Sequence, residues 1–182
     1  MTEELQSKAR KIKLVAFDVD GVMTDGRLYF TSLGDEIKAF NVKDGLGLNL
    51  LRETGVEVAI ITGRTSELVL RRAKDLKIDN VIQGREDKRR ALAELLSELN
   101  LTAEQVAYMG DDLPDLAAIQ FAGIGVTVAD ALPIIRQHAD IITEKNGGEG
   151  AVRELCEWLM SAQGHLDAVQ QRFLLDSSDP KS

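Results

Sequence analysis

The chain has one cysteine, two histidines, three prolines and an aromatic fraction of only 4% in 182 residues. With Cys156 alone, no intrachain disulfide forms, so packing must hold the fold and a reducing compartment suits it. The surrounding "AVRELCEWLM" is helical in period, which places that thiol in a core rather than at a reactive site. His138 and His165 lack ligand spacing, and neither is assigned a role. With few aromatics, the core must be built mostly of Leu, Ile, Val and Ala. No apolar run approaches the ~20 residues of a membrane helix. The opening "MTEELQSKARKIK" is charged and polar, unlike a signal peptide. No membrane partner is expected, and the cytoplasm is the expected compartment. Basic residues are also in deficit, with 22 Lys and Arg against 30 Asp and Glu, a net charge of -8. That balance argues against a nucleic-acid surface. A small anionic substrate remains compatible with it where local cations or a metal offset the field.

Apolar runs alternate with amphipathic stretches. "KLVAFD" (13–18), "VEVAIITGR" (56–64) and "VAYMGDD" read as buried strands that end in polar clusters, with shorter ones near "NVIQG", "IGVTV" and "DIIT". Helices are expected over "DGLGLNLLRETG", with Asp44 as candidate N-cap and Gly55 as the stop, and over "ELVLRRAKDLK", with Ser66 as cap. Further helices fit "EDKRRALAELLSELN", "LPDLAAIQFAG", "PIIRQHA" and "GAVRELCEWLM". "RLYF" and "EIKAF" flank the turn-rich "TSLGDE" and read as a β-hairpin. Together these predict an α/β fold, a Rossmann-like parallel sheet with helices on both faces. The domain is expected over 1–163. A polar tail follows over 164–182, with a short helix possible in "HLDAVQQRFLL".

In such sheets, sites form outside the carboxyl ends of the strands. Asp18 and Asp20 in "FDVDG" lie two residues apart, a spacing that points both side chains to one side of an extended segment. Gly21 lets the chain turn at once. Two carboxylates this close ionise together only if a cation joins them, and a hard ion such as Mg²⁺ takes carboxylate oxygens. "GDDLPD" brings Asp111, Asp112 and Asp115 to a neighbouring strand end.

D-x-D-G, then "ITGR", then Lys88 at a helix start, then "GDDLPD" is an ordered set that resembles the haloacid dehalogenase superfamily over roughly residues 12 to 160. The resemblance implies Asp18 as nucleophile, forming an aspartyl-phosphate, and Asp20 as general acid and then base. It implies Thr62 and Lys88 on the transferring phosphoryl group. It makes Asp18, Asp20 (through its carbonyl), Asp111 and Asp112 the Mg²⁺ ligands, with Asp115 a ligand or support. An acid at position 20 favours an oxygen leaving group, hence phosphatase or phosphomutase chemistry.

Only one hairpin and one helix separate Asp20 from Thr62, so no large cap domain is expected, and the hairpin (about 22–40) would be a flap. "VMTDGRLYFTSLGDEIKAFNVKDGLGL", with "QGREDK", "YMGDDLPDL" and "GGEGAVRE", is similar to the 3-deoxy-D-manno-octulosonate 8-phosphate (KDO 8-phosphate) phosphatases. That resemblance implies a homotetramer, Mg²⁺ dependence and a role in lipopolysaccharide synthesis. It places a sugar-acid phosphate against Asn41, Val42, Lys43, Asp44 and Gly45, with Arg64, Arg72 and Lys88 on its carboxylate and phosphate. Asn49, and Lys43 in place of Arg, depart from the family pattern. The alternatives are a phosphatase of another sugar acid (sialic acid or KDN 9-phosphate), a non-catalytic oligomerisation domain of the same fold, or a phosphorylation-receiver domain.

Overall fold

The structure, a computed structural model, describes residues 2–175. It opens with a helix that the polar N-terminal sequence did not announce, α1 (Glu3–Ala9), capped by the Thr2 hydroxyl. The first strand, β1 (Leu14–Phe17), is buried at every position. The hairpin follows with strands of two residues each, β2 (Tyr29–Phe30) and β3 (Glu36–Ile37). α2 (Val42–Glu53) and β4 (Glu57–Ile61) come next. Then follow α3 (Glu67–Asp75), β5 (Asn80–Ile82), α4 (Lys88–Glu98), β6 (Val106–Met109), α5 (Leu113–Phe121) and β7 (Ile124–Thr127). The chain closes with α6 (Pro133–His138), β8 (Ile141–Ile142), α7 (Ala151–Ala162) and α8 (Leu166–Leu175).

Six parallel strands run in the order β5-β4-β1-β6-β7-β8. β1 sits near the centre, with Phe17 level with Ile60 on β4 and with Met109 on β6. That register brings the residues just after β1, β4 and β6 to one edge. α2 packs on α7, which also meets α1 and α8, while α4, α5 and α6 pack in sequence as a second layer. Apolar strands buried on both sides follow from that covering. Between β1 and β4 stand only the hairpin and α2, so the fold is capless, as the spacing predicts.

One expected cap is corrected. Asn41, not Asp44, caps α2: its side chain accepts from the Lys43 N–H at 2.8 Å. Asp44 lies inside the first turn, buried, and accepts from the Arg153 N–H at 2.8 Å. Two cap-compatible residues three apart compete for one helix start, and here the extended backbone at Asn41 settles it. Gly55 ends the helix with a left-handed φ of +93°. α8 docks on its own chain, burying Val169 and pairing Arg172 with Glu53 at 2.7 Å, at the end of α2 remote from Asn41. Residues 176–182 of the expected tail lie outside the described residues. Among the described residues no helix is long and apolar enough to cross a membrane.

Candidate active site

A cavity of about 690 Å³ opens beyond the ends of β1, β4 and β6, and Asp18, Asp20, Thr62, Arg64, Lys88 and Asp111 all line it. Asp18 extends β1 by one residue, donating its N–H to the Met109 carbonyl at 2.9 Å. Its side chain is therefore held at the floor, 8% exposed. Gly21 adopts φ +92°, and a Cβ there would collide with the Asp111 carboxylate. The glycine is what allows two acidic loops to approach.

At the floor, the buried Lys88 ammonium lies 2.9 Å from Asp18 Oδ1 and 2.7 Å from Asp115 Oδ1. Asp115 is fully buried and saturated with donors. Oδ1 also accepts from the Tyr108 hydroxyl at 2.7 Å, and Oδ2 accepts from the N–H groups of Asp111 and Asp112 at 3.1 and 3.2 Å. These contacts leave Asp115 no lone pair for an ion, although its carboxylate lies within 4.8 Å of those of Asp18 and Asp111. Asp115 is a scaffold that fixes Lys88 and the 111–112 turn. Asp112 is exposed at the edge of the same cavity and caps α5, accepting from the Leu113 N–H at 2.7 Å.

Asp18 and Asp111 are differently placed. Burial, and then the charge of Asp115, pushes the Asp18 carboxyl up to about 7 even with Lys88 beside it. Burial, with Asp115 and Asp18 near, pushes Asp111 up to about 8. Asp111 Oδ1 is buried with no hydrogen-bond partner. Clustered carboxylates that resist ionisation, with an orphaned acceptor among them, are the donor set of a hard divalent cation. Asp18 and Asp111 are the side chains that fit it.

The flap reaches the same cavity. Lys38, just after β3, has a side chain only 2% exposed and donates to Asp20 Oδ1. Glu36 on the same face holds Arg64 Nη2 at 2.8 Å and accepts from the Ser66 hydroxyl at 3.2 Å. Ser66 stands at the N-cap of α3, yet its hydroxyl is spent on the flap rather than on the helix. Asp25, by contrast, takes no part: it accepts from the Tyr29 hydroxyl at 2.7 Å and the Arg27 N–H at 3.1 Å, closing the turn into the flap.

The Asn41–Gly45 segment and Arg72 do not line this cavity. Arg72 donates to the Asn41 carbonyl at 3.2 Å and lies 5.7 Å over the Phe40 ring. A Cβ on Gly45 would collide with that guanidinium. Asn41 also donates to the Gly148 carbonyl at 3.2 Å, while Val42 and Lys43 face outward. Arg72 and the helix start thus form a second polar knot, joined to the "NGGEG" loop, apart from the acids of the same chain. Gly147 and Gly148 let that loop touch the backbone of Gly21 and Thr24, where a Cβ would clash.

Three residues at the site were not singled out from the sequence: Glu36, Lys38 and Tyr108. Alternation in "EIKAF" carries a signal, because Glu36 and Lys38 share a face opposite the exposed Ile37. For Tyr108 the signal is weaker. A tyrosine in a fully buried strand needs a partner for its hydroxyl, and acids follow directly.

An acid-lined cavity with a lysine, on a parallel sheet of this order, defines a haloacid dehalogenase-like hydrolase, and the model of that family matches residues 80–155. The KDO 8-phosphate phosphatase KdsC of Escherichia coli strain K12 is 45% identical over 170 residues, 93% of this chain and 90% of that protein. The chain belongs to the 3-deoxy-D-manno-octulosonate 8-phosphate phosphatase family. The Moraxella catarrhalis phosphatase, solved with magnesium, phosphate and KDO, is 48% identical with a TM-score of 0.93, over 95% of this chain and 99% of that one. The cobalt-bound Haemophilus influenzae phosphatase is 40% identical with a TM-score of 0.88, over 92% and 99%.

Proposed function

We propose that this chain is a Mg²⁺-dependent phosphatase that releases KDO and phosphate from KDO 8-phosphate through an aspartyl-phosphate. The observation that carries the chemistry is the buried Lys88–Asp18 contact at 2.9 Å, beside Asp20 and Thr62 in one cavity. The likeness to the E. coli and M. catarrhalis phosphatases supports the substrate.

In this proposal a carboxylate oxygen of Asp18 attacks phosphorus, a P–O bond to Asp18 forms, and the bond to the sugar oxygen breaks. Asp20 gives that leaving oxygen a proton, then takes one from the water that attacks the phosphoryl group and frees Asp18. Lys88 and the Thr62 hydroxyl hold the phosphoryl oxygens at the floor. A divalent ion bound by Asp18 and Asp111, with the Asp20 carbonyl, would supply charge neutralisation at the transferring group. Arg64, half exposed at the rim, offers its planar fork to the sugar carboxylate. Asp112 caps its helix while lining the same cavity, where it would support the ion beside Asp111.

The flap leaves Leu28, Tyr29, Phe30, Leu33 and Ile37 exposed on a two-stranded element that cannot bury them alone. Assembly into a homotetramer would cover them and close the otherwise open cavity, and Asn41–Gly45 and Arg72 would then serve a neighbouring site or their own helix start. The cytoplasm and lipopolysaccharide synthesis are the setting this function implies.

The test is phosphate release with Mg²⁺ across a panel of KDO 8-phosphate, sialic acid 9-phosphate, KDN 9-phosphate and simple sugar phosphates. The highest kcat/KM is expected for KDO 8-phosphate. Equal or better turnover of a nine-carbon acid moves the assignment to that sugar, and no turnover of any of them leaves the oligomerisation-domain and receiver-domain alternatives.

A further inference from the structure

Glu36 is an acid at an anion site, where a carboxylate should repel the substrate. Its position explains why it is there. Its side chain is only 20% exposed, and each of its oxygens is engaged by the body of the same chain. Oε1 lies 2.8 Å from Arg64 Nη2 and 3.6 Å from Lys38 Nζ, and Oε2 accepts from the Ser66 hydroxyl at 3.2 Å. Burial alone would raise the Glu36 carboxyl, but Lys38, Ser66 and Arg64 hold it below the ordinary range, so its charge is kept. The Ser66 N–H in turn donates to Gln83 at 2.6 Å, tying the contact to the strand layer through the loop after β5.

Arg64 is the least restrained cation at the cavity. Its side chain is 47% exposed, and its remaining ion-pair contact is a long 3.7 Å from Nε to Asp20 Oδ2. A free arginine on a loop samples many rotamers, and ordering it on binding costs affinity. The bond to Glu36 pins Nη2 of a side chain that lines the cavity, so the guanidinium is held there before a substrate arrives.

We propose that Glu36 is a positioning residue for substrate recognition. Through Arg64 it sets the direction in which the cavity presents a guanidinium to the carboxylate of a sugar-acid phosphate, and so it couples the flap's seating to selectivity. This rests on the role proposed for Arg64.

The experiment is a double-mutant cycle of Glu36→Gln and Arg64→Ala in the full chain with Mg²⁺. KM and kcat are measured for the sugar-acid phosphate that the wild type turns over best, and thermal melting runs alongside. Glu36→Gln is expected to raise KM ~10-fold with a smaller change in kcat. In the Arg64→Ala background it should add no more than ~2-fold, because a residue acting through Arg64 has nothing left to position. Ser66→Ala, which keeps the Glu36 charge and removes only its second anchor, should move KM the same way by less; it stands in if Glu36→Gln melts early. Full additivity of the two effects, or an unchanged KM in Glu36→Gln, overturns the proposal. If the wild type releases phosphate from no sugar-acid phosphate, the proposed function fails, and a positioning role for Glu36 toward such a substrate falls with it.

Discussion

The Lys88 ammonium stands 2.9 Å from Asp18, at a depth where both side chains are less than a tenth exposed. The pair cannot be judged alone, because Asp115 takes a second proton of the same ammonium at 2.7 Å. One cation therefore serves two buried carboxylates, and a third, Asp111, sits beside them. The floor holds three carboxyl groups for one ammonium.

That imbalance sets the expected effect of removing Lys88. Lys88→Ala leaves two buried acids without their cation, a change that costs about 3–5 kcal/mol when a buried pair is broken. Chemical denaturation at pH 8 should show a loss of that order, together with loss of turnover. A variant as stable as the wild type would mean that the ammonium is not needed to hold the floor.

The same imbalance sets the pH dependence of the metal-free protein. Asp18 and Asp111 are pushed up to about 7 and about 8, above the ordinary carboxylate value of 3.8. Between the ordinary value and the raised ones the folded state keeps protons that the unfolded chain releases, so stability falls as pH rises through that window. With EDTA present, the urea midpoint should be lower at pH 8.5 than at pH 5.5. Mg²⁺ should restore it at pH 8.5 and do little at pH 5.5, because a cation binds the deprotonated pair. A midpoint that rises with pH without metal would contradict an excess of buried acids over cations at the floor.

Turnover should stop with EDTA and return with Mg²⁺. Asp18→Asn is expected to lose all measurable turnover, and Asp20→Asn to fall at least ~10³-fold, as loss of a general acid and base implies. The two differ in one respect: Asp20→Asn should still accumulate some phosphate on Asp18, seen by acid quench and mass measurement. Near-normal steady-state rates in either variant would remove the mechanism.

Tyr108 offers a test of the scaffold without touching a substrate group. Its hydroxyl donates to Asp115 from a fully buried position. Tyr108→Phe leaves a buried carboxylate lone pair unpaired, at a cost of about 1–3 kcal/mol. The expected result is a melting temperature several degrees lower, with kcat reduced less than in Lys88→Ala. An unchanged melting temperature would show that Asp115 does not depend on that bond.

Phe30, 62% exposed, and Ile37, 52% exposed, are the side chains through which to test assembly. Phe30→Glu with Ile37→Lys should yield a folded monomer by sedimentation, with turnover sharply reduced. A wild-type chain that sediments as an active monomer would defeat closure of the site by a neighbour.

Much of this protein is legible in its sequence. Near-continuous apolar strands alternating with amphipathic stretches require a covered parallel sheet, and polar residues at the ends of those strands must meet at one edge. Asp18, Asp20, Thr62 and Asp111 are read that way, whereas Lys88, at a helix start, is placed only by the resemblance to the haloacid dehalogenase superfamily. Wherever two similar residues compete for one place, local pattern is silent. It does not say that Asn41 rather than Asp44 caps α2, or that Asp112 stays exposed and caps α5 while Asp115 turns in to meet Lys88 and Tyr108. Nor does it say that Arg72 is held over Phe40 away from the cavity of its own chain, or that Glu36 and Lys38 fold back onto Arg64 and Asp20. Strand and helix periods depend on neighbours a few residues away. The partner of a buried charge is chosen across the whole fold, by which donor lies within hydrogen-bond reach once water has been excluded.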